Sequence, residues 1–359
     1  MDINTKLDLI KQVGEEILTE EELRTLLETK THPIAYDGFE PSGFPHIAQG
    51  ILRSINVNKM LKAGVKFKMY AADWHGWTNL KFGGDLEKIQ KAGDFLIEVW
   101  KASGMDTEKV EFIRAVDIVD NQEYWKKVMR IAQNTTVNRI IRCGQIMGRK
   151  ESEVQQASQI IYPCMQAADI FELNADITQL GMDQRKVNIL AREIAPKLEF
   201  QKPIVVSHHM LLGLGEPVSK EIDATERAIE LKMSKSKPDT AIFMLDSEED
   251  IKRKINKAYC PAKQTAENPI LEYNKYMIFE KYKTITIERP DKFGGNIDFH
   301  SYTELETAFT EGTIHPMDLK NTTASYINKL IEPVREKVQK TPKLHKLYEE
   351  IKSFTADKK

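Results

Sequence analysis

At 359 residues the chain is too long for one small all-α or all-β unit and long enough for a large domain with a smaller one beside it. Its 52 basic and 54 acidic side chains leave a formal charge of −2, which excludes a global positive field for nucleic acid and leaves such binding to local patches. With 41% hydrophobic and 30% charged residues, the composition suits a packed core under a solvated surface rather than an extended disordered block.

Leu7, Ile10, Val13 and Ile17 recur at helical spacing and predict a helical lead-in. Thr19 followed by Glu22 forms a capping-box pattern that opens a second helix carrying Leu23, Leu26 and Leu27. HPIAYDGF then reads as a short buried strand. Glu40-Pro41-Ser42-Gly43 breaks it, and Ile47, Ile51 and Ile55 mark one face of a helix. The unit recurs in kind: Val65, Phe67, Met69 and Ala71 alternate along a strand, and Asp85 opens a helix with Leu86, Ile89, Leu96 and Val99 that stops at Gly104. VEFIRAV is another candidate strand. Strands alternating with helices of this length predict an α/β architecture, a parallel sheet covered on both faces, with ligands beyond the carboxyl ends of its strands.

Further along, the pattern predicts a long helical region from Tyr124 to Arg149, a helical stretch from Val154 to Leu173, and strands in ADITQLG and PIVVSHHML. After Lys237 the texture changes: Ser247 with Glu248, Glu249 and Asp250 caps a basic helix, and Pro261, Asn268 and Pro269 interrupt the chain. A boundary near residue 245 is expected, separating a parallel-sheet domain (1–245) from a smaller, mainly helical one (246–359). The latter ends in a helix with Leu319, Ile327, Leu330, Ile331 and Val334 on its apolar side.

Cys143, Cys164 and Cys260 are widely separated, form no CxxC pair and cannot all pair with one another, as expected of reduced thiols in a cytosol. MDINTKLDLIKQVGEEIL interleaves charge with its apolar residues, and no stretch approaches the roughly 20 apolar residues of a membrane span. A soluble, cytoplasmic chain is expected. His208 and His209 are adjacent and lack the i, i+4 spacing and accompanying glutamate of a helical zinc site, so they read as strand or loop residues, and no protein metal site is expected.

Three segments carry candidate chemistry. In PSGFPHIAQ a tight turn leads into a predicted helix start with His46 near its N-terminus, where free N–H groups and the helix dipole favour a phosphate. A lone histidine there is more often an exposed or capping residue. In LKMSKSKP, Lys232, Lys235 and Lys237 stand among serines ahead of Pro238, suiting a mobile phosphate clamp, although a charge run is more often a solvated surface loop. In IIYPCMQAADI, Tyr162, Gln166 and Asp169 stand at i, i+4 and i+7 and project from one helix face. Polar groups on so apolar a stripe need partners, either from the protein or from a polar ligand. GMDQRK places Asp183 and Gln184 at the carboxyl end of a predicted strand.

HIAQ and KMSKS, separated by a span like a Rossmann fold, resemble the two signature motifs of class I aminoacyl-tRNA synthetases. AYDGFEPSG, YPCMQAADI, GMDQRK, KAYCPA, KFGG and HPMDLKN closely resemble the archaeal and eukaryotic tyrosyl enzymes, over nearly the whole chain. The first motif departs from the many class I enzymes that end it in a second histidine; Gln49 stands there and can donate a hydrogen bond but carries no charge.

The resemblance implies that Tyr36 and Asp169 hydrogen-bond a tyrosine phenol, that Tyr162, Gln166 and Gln184 hold its amino-acid end, and that His75 lines the pocket wall. It also places Gly38, Glu40, Ser42, Gly43 and His46 around ATP, Asp183 near the ribose, and Lys232 and Lys235 on the phosphates, with His46 and both lysines catalytic. For tRNA it implies Arg142, Arg185 and Lys186 near the acceptor end and Phe293, His315 and Asp318 at the anticodon. Helix-surface charge accounts equally for Arg142, and the capping of a helix N-terminus for Asp318. Magnesium accompanying ATP and a homodimer follow from the resemblance alone. The rivals are a tryptophanyl enzyme of the same class, for which the Tyr36 and Asp169 pair is less suited, a nucleotidylyltransferase, which gives no reason for the C-terminal domain, and an RNA-binding protein without chemistry.

Overall fold

The computed structural model describes residues 1–147, 156–217, 227, 230–235 and 237–356. Helix α1 (Ile3–Lys11) is capped by Asp2, whose side chain accepts from the Thr5 amide, and it buries Leu7 and Ile10. The predicted continuation through Ile17 does not occur. Instead β1 (Gly14–Leu18) pairs antiparallel with β6 (Ile204–His208), Ile17 lying opposite Val206. At Gly14 a β-carbon would fall 2.9 Å from the Ile17 side chain and 3.1 Å from that of Val206, so only glycine admits this approach. Sheet pairing overrides a helical spacing that the sequence carries only locally.

The capping box at Thr19 opens α2 (Glu20–Thr29) as predicted, the Thr19 hydroxyl accepting from the Glu22 amide. Then follow β2 (Ile34–Phe39), α3 (Ile51–Lys62), β3 (Lys66–Ala71), α4 (Asp73–Thr78), α5 (Leu86–Ala102) and β4 (Val110–Arg114). The helix predicted to start at HIAQ begins later, at Ile51; His46–Gly50 is a turn whose Gln49 and Gly50 amides both donate to the His46 carbonyl. The long helix expected from Tyr124 to Arg149 is divided. After α6 (Val116–Val119), α7 (Gln122–Gln133) stops and Thr136 caps a separate α8 (Val137–Cys143), because a threonine oxygen satisfies the Arg139 amide there. Arg149 and Val154 lie outside the described residues. Next come α9 (Ala157–Glu172), opened by a reciprocal Gln156–Gln159 cap, then β5 (Ile177–Thr178) and α10 (Arg185–Ile194), before β6.

The sheet order is β1-β6-β5-β2-β3-β4, parallel except for β1. One apolar cluster, with Leu23, Phe67 and Trp100, fills the side facing α1, α2 and α5; another, with Tyr124, Ile170 and Val187, fills the side facing α7, α9 and α10. This is a doubly covered Rossmann-like sheet.

Beyond it, α11 (Glu248–Lys257), capped by Ser247, and α12 (Pro269–Tyr273) precede a hairpin of β7 (Ile285–Ile287) and β8 (Ile297–Phe299), then α13 (Tyr302–Glu311), α14 (Pro316–Lys340) and α15 (Pro342–Ala356). Leu319, Ile327, Ile331 and Val334 of α14 are fully buried, in a cluster that also contains Ile47, Ile51 and Phe95 of the sheet region. Lys337 of α14 reaches Glu98 of α5 at 3.1 Å, and Arg335 donates to the Asp246 carbonyl at 2.7 Å. Cys143, Cys164 and Cys260 are buried free thiols, and among the described residues no helix is long and apolar enough to cross a membrane.

Candidate active site

At the carboxyl ends of β2, β5 and β6 the sheet opens into a cavity that continues past His46 to the segment Lys232–Lys235. Tyr162, Gln166 and Asp169 enter it from one face of α9, as their spacing predicts. Asp169 is 1% exposed, and its Oδ1 accepts from the hydroxyls of Tyr124 at 2.9 Å and Tyr70 at 3.3 Å. His75 Nε2 stands 3.0 Å from Asp169 Oδ2, off the line of a hydrogen bond. Burial pushes the His75 imidazole down, but the negative charge and proximity of Asp169 outweigh it and the net shift is upward.

In the same cavity the Tyr36 hydroxyl is buried with no hydrogen-bond partner among the described residues. Burial drives this phenol well above its ordinary range, and the charge of Asp169 adds to the effect, so it stays a neutral donor. An unpaired buried hydroxyl costs about 1–3 kcal/mol, which a ligand oxygen placed here would relieve. Gln166 Nε2 donates to Gln184 Oε1 at 3.0 Å, and Gln184 Nε2 in turn to the Ile146 carbonyl at 3.1 Å, leaving Gln166 Oε1 without a partner among the described residues. This end therefore offers an unpaired hydroxyl donor at Tyr36 and an unpaired acceptor at Gln166 beside the rings of Tyr70, His75 and Tyr162.

The other end is cationic. The turn bearing His46 is pinned to the strand-like segment after Lys237: the Ile47 amide donates to the Ile242 carbonyl and the Met244 amide to that of Pro45, both at 2.9 Å. The two lysine- and histidine-bearing segments, far apart in sequence, thus share one wall. Lys235 Nζ lies 3.3 Å from Ser42 Oγ and 3.4 Å from the Gly43 carbonyl, where Gly43 adopts the left-handed φ of +115° that its turn requires. Lys232 Nζ lies 2.5 Å from Asp183 Oδ2. Glu40 accepts from Asn79 Nδ2 at 3.1 Å and faces Lys81 Nζ at 3.1 Å. At Gly38 a β-carbon would sit 3.2 Å from the Tyr70 ring, so the bare backbone keeps the strand end open. Burial, with Lys235 and Lys232 adding repulsion, holds His46 well below its ordinary range and hence neutral. Burial, with repulsion from Lys81, pushes Lys235 down to about 7. Lys237 is exposed, and Ser236 lies outside the described residues.

Sequence reasoning missed the groups that hold these side chains in place. Arg53 and Asp37 form an ion pair of 2.9 Å, each side chain 2% exposed, and Arg53 also meets His208. Burial raises the Asp37 carboxyl to about 7 against the pull of Arg53. The available signal was an arginine inside α3, where Ile51 to Val57 are buried without interruption: a buried charge demands a partner. Tyr70 falls on the Lys66–Lys68 face of β3 in the period-two reading, and only its place at the strand's carboxyl end hinted at a site.

The residues predicted for tRNA do not line the cavity. Arg142 is exposed on α8, and Arg185 and Lys186 open α10, Arg185 Nε reaching the Glu16 carboxylate at 2.8 Å. Phe293, 61% exposed, sits in the turn between β7 and β8. His315 caps α14 by accepting from the Met317 amide, and Asp318 is in its first turn. Arg289 donates to both the Gly295 and Thr313 carbonyls at 2.9 Å, tying the turn of Phe293 to that of His315. Among the described residues no group of three or more His, Cys, Asp or Glu side chains is arranged to hold a metal ion.

The family model for class I tRNA synthetases (W and Y) matches residues 28–332. The cytoplasmic tyrosine–tRNA ligase 1 of Arabidopsis thaliana is 46% identical over 98% of this chain and 89% of its own. The tyrosine–tRNA ligase of Thermococcus kodakarensis is 44% identical over 98% and 99%. The crystal structure of tyrosyl-tRNA synthetase from Pyrococcus horikoshii complexed with L-tyrosine superposes with a TM-score of 0.90 at 39% identity, covering 98% of this chain and 100% of that one. With its Rossmann-like sheet, its paired signature segments and this similarity along almost its full length, the chain belongs to the class I tRNA synthetases of the W and Y type, in the tyrosyl branch.

Proposed function

We propose that the chain is a tyrosine–tRNA ligase that activates L-tyrosine with ATP and transfers it to the 3′-terminal adenosine of its tRNA. The observation that carries this reading is the unpaired, buried Tyr36 hydroxyl in the same cavity as Asp169. A phenol between them accepts from Tyr36 and donates to Asp169, whereas a phenylalanine ring leaves the Tyr36 hydroxyl unpaired and adds nothing to a carboxylate that Tyr124 and Tyr70 already serve. Tyr162, Gln166 and Gln184 are assigned to the amino and carboxyl groups, with His75 as the wall behind Asp169.

In the first step a tyrosine carboxylate oxygen attacks the α-phosphorus of ATP, the bond to the bridging oxygen breaks, and pyrophosphate leaves with the electron pair. The attacking carboxylate is already an anion, so positioning and charge stabilisation replace a general base. A neutral His46 donates to a phosphate oxygen as charge grows there, while Lys232 and Lys235 follow the leaving group. Gly38, Glu40, Ser42 and Gly43 form the rest of the nucleotide wall, and Asp183 is assigned to the ribose. Magnesium is assigned to the nucleotide's own phosphates, where it would add positive charge. In the second step a ribose hydroxyl of the terminal adenosine attacks the tyrosyl carbonyl carbon and AMP leaves.

Arg142, Arg185 and Lys186 are assigned to the acceptor end of tRNA. Phe293, as a stacking face, and His315 with Asp318, as edge readers, are assigned to the anticodon. The division into a catalytic domain (1–245) and an anticodon-binding domain (246–359), a homodimer and a cytoplasmic location complete the proposal. ATP–pyrophosphate exchange without tRNA, run with tyrosine, tryptophan and phenylalanine in turn, tests it: exchange with tyrosine alone is expected. Exchange with tryptophan, or with none of the three, overturns it.

A further inference from the structure

Beneath the nucleotide wall lies a buried polar chain that neither signature motif accounts for. His208 ends β6 at the carboxyl edge of the sheet, 4% exposed, its amide donating to the Leu180 carbonyl at 2.9 Å. Two donors converge on its Nδ1: Arg53 at 2.9 Å and Gln179 Nε2 at 3.0 Å. Arg53 is anchored from the other side by Asp37 at 2.9 Å. A guanidinium can only donate, so Nδ1 must be the bare, accepting nitrogen, and the single proton of a neutral ring must sit on Nε2. Burial and the adjacent Arg53 charge hold this imidazole well below its ordinary range, which keeps the ring neutral.

The proton-bearing Nε2 faces the bare backbone of Gly181. A β-carbon there would lie 3.2 Å from His208 Nε2 and 2.6 Å from Asp183 Oδ1. A fixed donor and a carboxylate acceptor thus flank one glycine, and both residues line the cavity. Asp183 Oδ2 is engaged by Lys232, and Oδ1 is the oxygen that faces the glycine.

We propose that His208 is a nucleotide-binding residue whose Nε2–H donates to the nucleoside half of ATP, with Arg53 and Gln179 as positioning residues that fix its tautomer. The proposal rests on the ATP-dependent activation proposed above. The chemistry has a direct consequence for substitution. Asparagine at 208 offers an oxygen near Nδ1 for Arg53 but has no donor at the Nε2 distance, whereas glutamine carries an amide N–H out to that distance.

The test is tyrosine-dependent ATP–pyrophosphate exchange with the full chain and its His208→Asn and His208→Gln variants, measuring the KM for ATP and for tyrosine separately. His208→Asn should raise the KM for ATP at least fivefold and move that for tyrosine less than twofold, and His208→Gln should recover most of the loss. An unchanged KM for ATP in His208→Asn, or an equal rise in both constants, overturns the proposal in favour of a purely structural histidine. Nitrogen-15 imidazole spectra of the unsubstituted chain give a readout independent of how the variants fold. A bare Nδ1 with a protonated Nε2 that shifts on adding ATP is expected; a protonated Nδ1, or an Nε2 that ATP leaves unmoved, overturns it. Absence of exchange in the unsubstituted chain would instead refute the activation reading itself.

Discussion

Replacing Tyr36 by phenylalanine separates substrate recognition from folding more cleanly than any other change in the cavity. The Tyr36 hydroxyl is buried and has no hydrogen-bond partner among the described residues, so removing it breaks no hydrogen bond to them. The phenylalanine ring keeps the packing of a 2% exposed side chain on β2. The unfolding free energy should therefore stay level or rise, by at most the roughly 1–3 kcal/mol that an unsatisfied buried hydroxyl costs. Tyrosine, in contrast, loses one neutral hydrogen bond, about 0.5–1.5 kcal/mol, equivalent to a rise of roughly 2- to 13-fold in its KM. Phenylalanine never made that bond, so discrimination between the two amino acids narrows by about the same factor. Pyrophosphate exchange with both substrates measures the second effect and urea unfolding the first. A variant that is less stable yet keeps its KM for tyrosine would show that the hydroxyl serves the fold and refute the reasoning.

Lys235→Ala should lower the rate of activation and leave tyrosine affinity nearly unchanged, because its neighbours Ser42 and Gly43 are those assigned to the nucleotide in the proposed reading; a pure loss of tyrosine affinity in single-turnover kinetics would count against this. His209 loses charge preference to burial but regains more from its hydrogen bond to Glu15 and from the Glu272 carboxylate 3.1 Å away, and its pKa rises to about 9. Its folded value lies above the unfolded value of roughly 6.5, so this stabilisation is complete below pH ~6.5 and disappears as pH climbs through 9. Stability measured from pH 7 to 10 should fall more steeply for the unsubstituted chain than for His209→Gln, and parallel curves would sink the idea. Asp318→Ala should lessen the preference for tRNA with the tyrosine anticodon over an anticodon-altered tRNA; an unchanged charging ratio would remove Asp318 from recognition.

The alternation of strand and helix was legible from residue 34 to residue 114, because each element there carries its own period and its own punctuation. Asp85 caps its helix and Val65 to Ala71 alternate as a half-buried strand does. The lead-in was misread because β1 exists only through its pairing with β6, nearly two hundred residues later in the chain, and Val13 and Ile17 satisfy both periods over so short a span. The cavity residues of α9 could be found because i, i+4 and i+7 define a face on any helix. Asp37 and Gln179 could not, and Arg53 could be found only as a charge in need of a partner: which groups it meets depends on contacts between separate elements. Local pattern finds side chains that share an element, and only the fold finds those that share a charge.

Charge also explains why the basic end of the cavity is stable before any nucleotide arrives. Lysines and an arginine gathered without anions would repel one another and oppose folding. Here most are already matched: Arg53 by Asp37, Lys81 by Glu40, Lys232 by Asp183. Lys235 differs, since its hydrogen bonds to described residues end on the uncharged Ser42 Oγ and Gly43 carbonyl, and burial with the repulsion of Lys81 lowers its pKa to about 7. A triphosphate must compete with Asp183 for Lys232 and with Glu40 for Lys81, so those contacts gain only the difference between two anionic partners. Among the described residues Lys235 pairs directly with no carboxylate, Glu40 acting on it only through its charge, and a phosphate beside it would also favour its protonation. On the proposed reading, the strongest new electrostatic interaction on nucleotide binding therefore falls on the half-buried Lys235 rather than on the more thoroughly buried Arg53 below it.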